Sequence, residues 1–314
     1  MQQDYMPMNA AALMDRVFDL YRLTIKTQIA FSLIIGIISI ILMLVFGFAL
    51  TFGVVIVMGI AETVNDNHIL IAILLVFIGI LPLYAAWAFL SSSGHILISK
   101  QAFYGEPVEL PFRDTLKAFF RVMTSALAQL ILMLPWMIVL FFLVYSAIAG
   151  YNDVFQFILD IHPVVIVASG FAYAIFFVIY SNIFALAIPV AIFEKRYFFA
   201  TISRSLKLLK DDFWRILGLR ILWTILVFLF SYSAQGFIVA LVGVLTVLAG
   251  NVVDFGTLWV ATSALQFYAL MFVSILIAPM EGIMTALIYF NQKIKKEGLD
   301  ITIGLDRLRR GYTS

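Results

Sequence analysis

Six long apolar stretches constrain the fold of this chain more than any other feature of its sequence. They span about residues 29–60, 69–90, 119–150, 163–193, 216–250 and 259–290. A helix needs about 20 apolar residues to cross the hydrocarbon core of a bilayer, and each stretch is long enough. Composition agrees, because 64% of the 314 residues are hydrophobic and 12% are charged, whereas soluble domains average about 45–50% and about 25%. We therefore predict an all-α membrane protein with six transmembrane helices in three hairpins.

The positions of the charged residues predict how these helices are oriented. Three linkers contain acidic residues but neither Lys nor Arg: 61–68, 151–162 and 251–258. All 20 Lys and Arg residues fall in residues 1–28, in the regions 99–121 and 194–220, or after residue 290. Basic residues are enriched in the cytoplasmic loops of membrane proteins. Both termini and the two longer linkers of this multi-pass chain are therefore expected in the cytoplasm.

Three segments at 15–26, 114–125 and 203–214 indicate an internal repeat. They read DRVFDLYRLTIK, DTLKAFFRVMTS and SRSLKLLKDDFW, and they align without gaps. Each begins with a residue type that caps helices, Asp or Ser, and has a basic residue at its eighth position. We predict a pseudo-threefold repeat in which a cytoplasmic interfacial amphipathic helix precedes each hairpin. The predicted single membrane domain, 1–314, has units at about 10–105, 106–198 and 199–298 and a short cytoplasmic tail at 299–314.

The third segment is the clearest amphipathic helix of the three. Four apolar residues recur at the spacing of one helical face, and they are Ile202, Leu206, Leu209 and Phe213. A cationic amphipathic helix can lie among the headgroups of an anionic leaflet, so anionic cytoplasmic-side lipid is a predicted partner. The alternative is an ordinary helix beside the membrane that recognises no lipid. The candidate headgroup contacts are Arg22, Arg121, Arg204, Lys207, Lys210 and Arg215.

Three stretches of the sequence resemble a known family. They are LMDRVFDLYRLTIKTQIAFSLI, SRSLKLLKDDFWRILGLRIL and TALIYFNQKIKKEGLDI. They resemble the membrane domain of bacterial glycerophosphoryl diester phosphodiesterases and related stand-alone six-helix membrane proteins of unknown function. In that family the chemistry belongs to a separate soluble barrel, for which the linkers of this chain are too short. The resemblance therefore implies a module of the bacterial plasma membrane without the enzyme.

Motifs that would carry chemistry are absent from the sequence. It contains no HExxH, Walker A, GxGxxG or GxSxG motif and no cysteine, and we predict neither a metal nor a cofactor. An outer zinc site has suitable ligand types in His68, His162, Asp66 and Asp160, but solvated loop polarity explains them more simply. The basic residues follow the membrane edge, so nucleic acid is not a predicted partner.

Two ionisable residues near the inner ends of the predicted spans are candidates for a functional site. His95 follows Ser91 by four residues in SSSGH, a spacing that lets a serine nucleophile share a helical face with a base, although no orienting carboxylate is near in sequence. Glu281 lies two residues after Pro279 in otherwise apolar sequence. An ionisable residue within a span is a functional candidate, and a structural helix-locking role is the alternative. We predict a buried polar cluster of Glu281, His95, Ser91, Ser92 and Arg220.

Three classes of function remain open from the sequence. The leading hypothesis is a non-enzymatic polytopic membrane protein that serves as a structural or accessory module of the cell envelope, with a possible membrane-protein partner. The second is a small transporter or channel with a cytoplasm-facing polar cavity around Glu281 and His95, and the third is a membrane-embedded lipid enzyme. The cavity would be lined by Glu281, Ser91, Ser92, His95, Asn182 and Gln266.

Overall fold

The computed structural model describes residues 6–60, 88–149, 171–172, 175–176, 178–180, 182–249, 255–303 and 305. These residues form α-helices and the connections between them, without β-strands. The helices are α1 (Ala10–Ile60), α2 (88–104), α3 (Phe112–Ala149), α4 (Ala187–Phe193), α5 (Phe199–Leu209), α6 (Phe213–Ala249) and α7 (Phe255–Glu297). The prediction of an all-helical protein is confirmed for this part of the chain.

Three stretches of these helices are long and apolar enough to cross a membrane. They are Ala10–Leu42 in α1, Phe112–Pro135 in α3 and Phe213–Leu241 in α6. Large apolar side chains cover their outer surfaces, as expected for helices in contact with lipid. The chain thus has the helices of a membrane protein. Most of the predicted second span, much of the fourth and most of the acidic linkers lie outside the described residues, so the six-span arrangement stays a prediction.

The segments expected to form separate interfacial helices do so only in the third predicted unit. The first two continue without a break into α1 and α3, whereas α5 ends at Leu209 and α6 begins at Phe213. At its ninth and tenth positions the third segment has Asp211 and Asp212. The first segment has Leu and Thr there, and the second has Val and Met. Aspartate favours helix ends because its side chain competes for backbone N–H groups. The expectation of a separate helix is therefore wrong for the first two segments.

The described chain divides into two compact units. The first comprises Met1–Ala11, Phe120–Leu226 and Leu287–Ser314, and the second comprises Ala12–Phe119 and Val227–Ala286. The first unit has a core of Ala128, Phe184 and Ile202. The second has a core of Phe31, Ile35 and Ile98. Both units contain buried or partly buried polar residues that bond to one another, and the largest of these groups are the candidate sites.

The connection between α4 and α5 in the first unit has a strained backbone. Lys195 has φ 54° and Phe198 has φ 50°, positive values that residues other than glycine rarely adopt. The Phe198 side chain packs against the core of the first unit, which fixes this conformation. Such strain persists where the surroundings determine the backbone. The connection follows Glu194 directly and brings the chain round to Arg204 on α5.

Candidate functional site

His95 is the centre of a buried polar cluster in the second unit. It lies on α2 with 1% of its surface exposed and packs against α1. Its Nδ1 is 2.5 Å from Gln28 Oε1, and its Nε2 is 3.2 Å from Ser32 Oγ and 3.3 Å from Ser91 Oγ. Because an amide oxygen only accepts, Nδ1 carries the proton, and the Ser32 and Ser91 hydroxyl groups share the single acceptor lone pair of Nε2. Burial disfavours the charged ring, so His95 is a neutral imidazole with every ring nitrogen bonded.

The backbone and the ring face of His95 are also occupied. Ser99 Oγ donates to the His95 carbonyl oxygen at 2.6 Å, and Gln28 Nε2 lies 3.5 Å from the same oxygen. The Phe31 ring meets the imidazole edge-on, with ring centroids 5.6 Å apart. Gln28 therefore contacts both the side chain and the main chain of His95, and these contacts fix α2 on α1.

Two glycines bring the helices of the second unit close around this cluster. A Cβ atom on Gly282 of α7 would lie 2.5 Å from the Cβ of His95. A Cβ atom on Gly94 would lie 2.0 Å from two carbon atoms of the Phe31 ring. Both distances are too short for real atoms, so these positions require glycine. Small residues at helix contacts allow such close packing, and here they seal the His95 cluster.

The structure unites part of the predicted polar cluster and corrects the rest. Ser91 and His95 are bonded, as the helical spacing predicts, and Ser92 is half-buried. Glu281, expected to be buried, is exposed on the surface of this chain. Successive helical residues point about 100° apart, so the close contact of Gly282 with His95 turns Glu281 to another side. Arg220 is half-buried on α6, within the first unit.

Gln28 and Ser32 of α1 complete the cluster, and neither was predicted from the sequence. Thr24, Gln28 and Ser32 are spaced by four residues and are all buried. The Thr24 hydroxyl donates to the Leu20 carbonyl oxygen within its own helix at 2.7 Å. A polar stripe with helical spacing in an apolar helix predicts a polar partner on a neighbouring helix. That stripe was the signal available in the sequence.

Glu194 is the centre of an ion network in the first unit, which we call the Glu194 network. Arg204 Nε lies 2.8 and 3.1 Å from the two Glu194 carboxylate oxygens. The Tyr289 hydroxyl donates to the same carboxylate at 3.2 Å. Arg204 also donates to Glu297, and Lys293 Nζ lies 3.9 Å from Glu194. The network connects the α4–α5 connection with α5 and the end of α7.

The charges of this network determine the ionisation of Glu194. Burial by itself raises the pKa of the Glu194 carboxyl, but the hydrogen bond and charge of Arg204 and the charge of Lys293 outweigh it. The pKa of Glu194 therefore lies below its ordinary value. The hydrogen bond to Glu194 correspondingly raises the pKa of Arg204. Glu194 stays ionised at neutral pH and keeps the network charged.

A second set of ion pairs attaches the turn between α5 and α6 to the end of α7. Asp212 accepts from Lys295 at 2.7 Å and from Gln292 Nε2 at 3.0 Å. Asp211 accepts from Lys296 at 2.7 Å. Hydrogen bonds from these lysines lower the pKa of Asp212 and of Asp211. Both aspartates of the helix-ending turn are thus paired within the first unit.

Acidification is expected to destabilise the first unit through these carboxylates. The pKa values of Glu194, Asp211 and Asp212 lie below their ordinary values of 4.5, 3.8 and 3.8. Their contribution is complete above those ordinary values and is lost as pH falls through the lower folded-state values. The thermal unfolding midpoint in detergent should therefore be steady from about pH 7 to about pH 5. It should decrease when the pH is lowered past about 4.5.

The Glu194→Gln/Asp212→Asn variant is the control for this pH dependence. It lacks two of the titrating carboxylates, so its unfolding midpoint should be lower at pH 7 and less sensitive to acid. An equal decrease in the midpoint on acidification of both proteins would contradict the assignment of the effect to these residues.

The predicted headgroup contacts separate into two groups in the structure. Arg204 is only 20% exposed and pairs with Glu194 and Glu297, so its guanidinium is engaged within the chain, and its contact with lipid stays a prediction. Arg121 is half-buried, and its Nε has no hydrogen-bond partner among the described residues. The remaining candidates have exposed side chains, and they are Arg22, Lys207, Lys210 and Arg215.

The face of α5 that is buried in the structure also differs from the apolar face predicted from the sequence. Thr201, Ser205 and Leu208 are buried with Ile202 and Leu209, whereas Leu206 is 42% exposed. The reason is polar pairing, because Thr201 Oγ1 lies 2.8 Å from Ser125 Oγ, and Ser205 Oγ donates to the Ile183 carbonyl oxygen at 3.2 Å. These two small polar residues pack inward, so the exposed face of α5 presents Leu206 beside Lys207 and Lys210.

Comparisons with known proteins give this chain no relative. No protein-family model, curated protein or solved structure matches it. The resemblance to the phosphodiesterase membrane domain therefore stays a prediction. The described residues contain no group of three or more His, Asp or Glu side chains arranged to hold a metal ion, and the loop residues weighed as zinc ligands lie outside them.

Proposed function

We propose that this chain is a non-enzymatic polytopic membrane protein that acts as a structural or accessory module of the cell envelope. The closed His95 cluster is the observation that carries the proposal. Both nitrogens of His95 are bonded within the chain, and Phe31 and Gly282 cover the residue. A group that moves protons or substrate needs access to water or ligand, whereas a satisfied buried network fixes the packing of helices.

The partner of His95 Nδ1 argues against the lipid-enzyme alternative. Ser91, His95 and Gln28 form a chain of hydrogen bonds that resembles a serine–histidine–acid arrangement. In such enzymes the third residue is a carboxylate that stabilises the imidazolium formed when the base takes the serine proton. Gln28 supplies a neutral amide instead. This set orients the imidazole but gives little stabilisation to its charged form.

The proposed arrangement in the membrane has six spans with both termini in the cytoplasm of a bacterial cell. The three apolar helices and the one-sided distribution of Lys and Arg support it. Because the chain has no native cysteine, single cysteines report their own exposure. Cysteine at Asn152 should react with an impermeant maleimide in intact cells, and cysteine at Ser314 should react only after the cells are opened. Labelling of Ser314→Cys in intact cells would contradict this orientation.

A transport function is the second candidate, and Asn182 favours it. Its side chain is 1% exposed, and neither its amide nitrogen nor its oxygen has a hydrogen-bond partner among the described residues. Buried amides are nearly always bonded to protein or water. An unsatisfied buried amide is therefore a place where water or a polar substrate would be stabilised.

Ion flux in reconstituted vesicles distinguishes the two functions. Proteoliposomes that contain the full chain and a trapped pH or potassium dye should show no proton or potassium flux above protein-free vesicles if the role is structural. Asn182→Leu should leave that background unchanged. Flux by the wild-type protein that Asn182→Leu or His95→Gln abolishes, while the unfolding midpoint is preserved, would establish transport and refute the structural proposal.

A further inference from the structure

The exposed face of α5 contains an open groove in the first unit. The groove has a volume of about 600 Å³. Its walls combine apolar and cationic side chains, since Phe199 and Leu206 lie beside Lys207 and Lys210. The residues that matter for binding are Phe199, Ser203, Leu206, Lys207, Lys210 and Phe213. A surface with both properties suits a ligand that is anionic at one end and apolar at the other.

The two lysines of the groove are available for an external anion. Within the described part of the chain, neither Lys207 nor Lys210 forms an ion pair through its side chain, and both are exposed. The neighbouring acids are already paired, because Asp211 and Asp212 bind Lys296 and Lys295. Lys207 contributes only its carbonyl oxygen to this pairing, as the acceptor of a bond from Lys296 at 3.1 Å. Lys210 lies close enough to Asp211 for their charges to interact, but Asp211 is already bonded to Lys296, so the groove keeps a net positive charge.

The groove adjoins the beginning of a candidate membrane span. Phe213 lines the groove and is also the first residue of the apolar stretch Phe213–Leu241. The next residue, Trp214, is 75% exposed. Tryptophan and basic residues are enriched at the headgroup level of membranes. The covalent connection to the span thus places the groove where phospholipid headgroups lie.

We propose that this groove binds an anionic phospholipid of the bilayer. Lys207 and Lys210 contact the phosphate, the Ser203 hydroxyl donates to a phosphate or glycerol oxygen, and Phe199, Leu206 and Phe213 contact the first part of the acyl chains. The proposal rests on the function proposed above, since it gives the membrane module a lipid partner. It also limits the predicted headgroup contacts to the lysines of this groove. Arg204 on the same helix is not one of them, because it pairs within the Glu194 network.

Retention of phosphatidylglycerol by the purified full-length protein tests this proposal. The lipid is titrated into protein in a neutral non-ionic detergent, and bound copies are counted by native mass spectrometry against zwitterionic phosphatidylcholine. The wild-type protein should retain phosphatidylglycerol preferentially. Lys207→Gln/Lys210→Gln should weaken that retention roughly thirtyfold, because it removes two cations from the headgroup site.

A matched variant removes the same charge elsewhere. Arg113 and Lys117 are exposed on α3, and Arg113→Gln/Lys117→Gln should retain the lipid as the wild-type protein does. Equal losses in the two double variants would overturn the proposal, since general attraction to the basic surface would then explain the binding. A separate variant, Leu206→Ser, keeps both lysines and should reduce retention by removing part of the apolar wall.

A competition experiment identifies the source of the phosphate. Inorganic phosphate or glycerol 3-phosphate at millimolar concentration should leave bound phosphatidylglycerol in place, because neither has acyl chains to contact the apolar wall. Displacement by either would assign the groove to a soluble phosphate and overturn the proposal. Retention is measured without reference to ion flux, so flux by the wild-type protein would refute the structural function alone, and failure to retain lipid would refute this site alone.

Discussion

Replacing Gly282 with alanine is expected to destabilise the folded protein by about 2 kcal/mol, within the range observed when buried contacts are overpacked. The added methyl group would lie 2.5 Å from the Cβ of His95. A Cβ atom cannot rotate out of the way, so the backbone of α2 or α7 must move. That movement lengthens the hydrogen bonds of His95 to Gln28 and Ser32. Thermal unfolding in detergent, followed by circular dichroism, should show a clearly lower midpoint.

Gly36→Ala is the control for this experiment. Gly36 also lies inside an apolar helix, but a Cβ atom placed there meets nothing within 4 Å. Alanine favours helix over glycine by up to about 1 kcal/mol, so Gly36→Ala should be neutral or slightly stabilising. Gly94→Ala should resemble Gly282→Ala, because its methyl group would overlap the buried ring of Phe31. Equal midpoints for Gly282→Ala and Gly36→Ala would contradict the close packing around His95.

Glu194→Gln is expected to lower the free energy of unfolding by about 2 kcal/mol, because it leaves Arg204 without its main partner. The Glu194 side chain is 12% exposed and that of Arg204 is 20% exposed, so solvent replaces the lost pairing only in part. Glu297 still contacts Arg204 and limits the loss. Chemical or thermal unfolding of the purified protein in detergent measures this change.

A double-mutant cycle separates the pair from its surroundings. Arg204→Gln should cost a similar amount, and Glu194→Gln/Arg204→Gln should cost clearly less than the sum of the two single changes. Glu106→Gln changes an exposed glutamate and should alter the midpoint little. Additive effects of the two single changes would show that Glu194 and Arg204 act independently and would contradict the network.

The parts of the structure that follow from local sequence were predicted well. The apolar stretches beginning near Ile29 and Ile216 are parts of helices, and the four-residue spacing of Ser91 and His95 makes their side chains meet. Helical character and the pairing of residues one turn apart depend on spacing within a single segment. Long-range partners are not required for such predictions.

The parts that depend on other helices were not predicted. His95 is bonded to Gln28, which is 67 residues away, and nothing in the SSSGH motif specifies that partner. Glu281 was expected to be buried, but the contact of Gly282 with His95 determines which side of α7 faces inward. Likewise, Arg204 pairs with Glu194 and also with Glu297, which is 93 residues away. Burial of a polar side chain is decided by the helix that packs against it.

The protonation of His95 tests the central claim most directly. Nitrogen-15 NMR of the full-length protein, labelled at histidine and assigned with His95→Gln, reports which ring nitrogen carries the proton. The closed cluster predicts a neutral His95 with its proton on Nδ1 at every pH between about 5 and about 8. A His95 ring that becomes charged in this range, or that exchanges its proton between the two nitrogens, would show an open, water-accessible site and contradict the structural role proposed for this cluster.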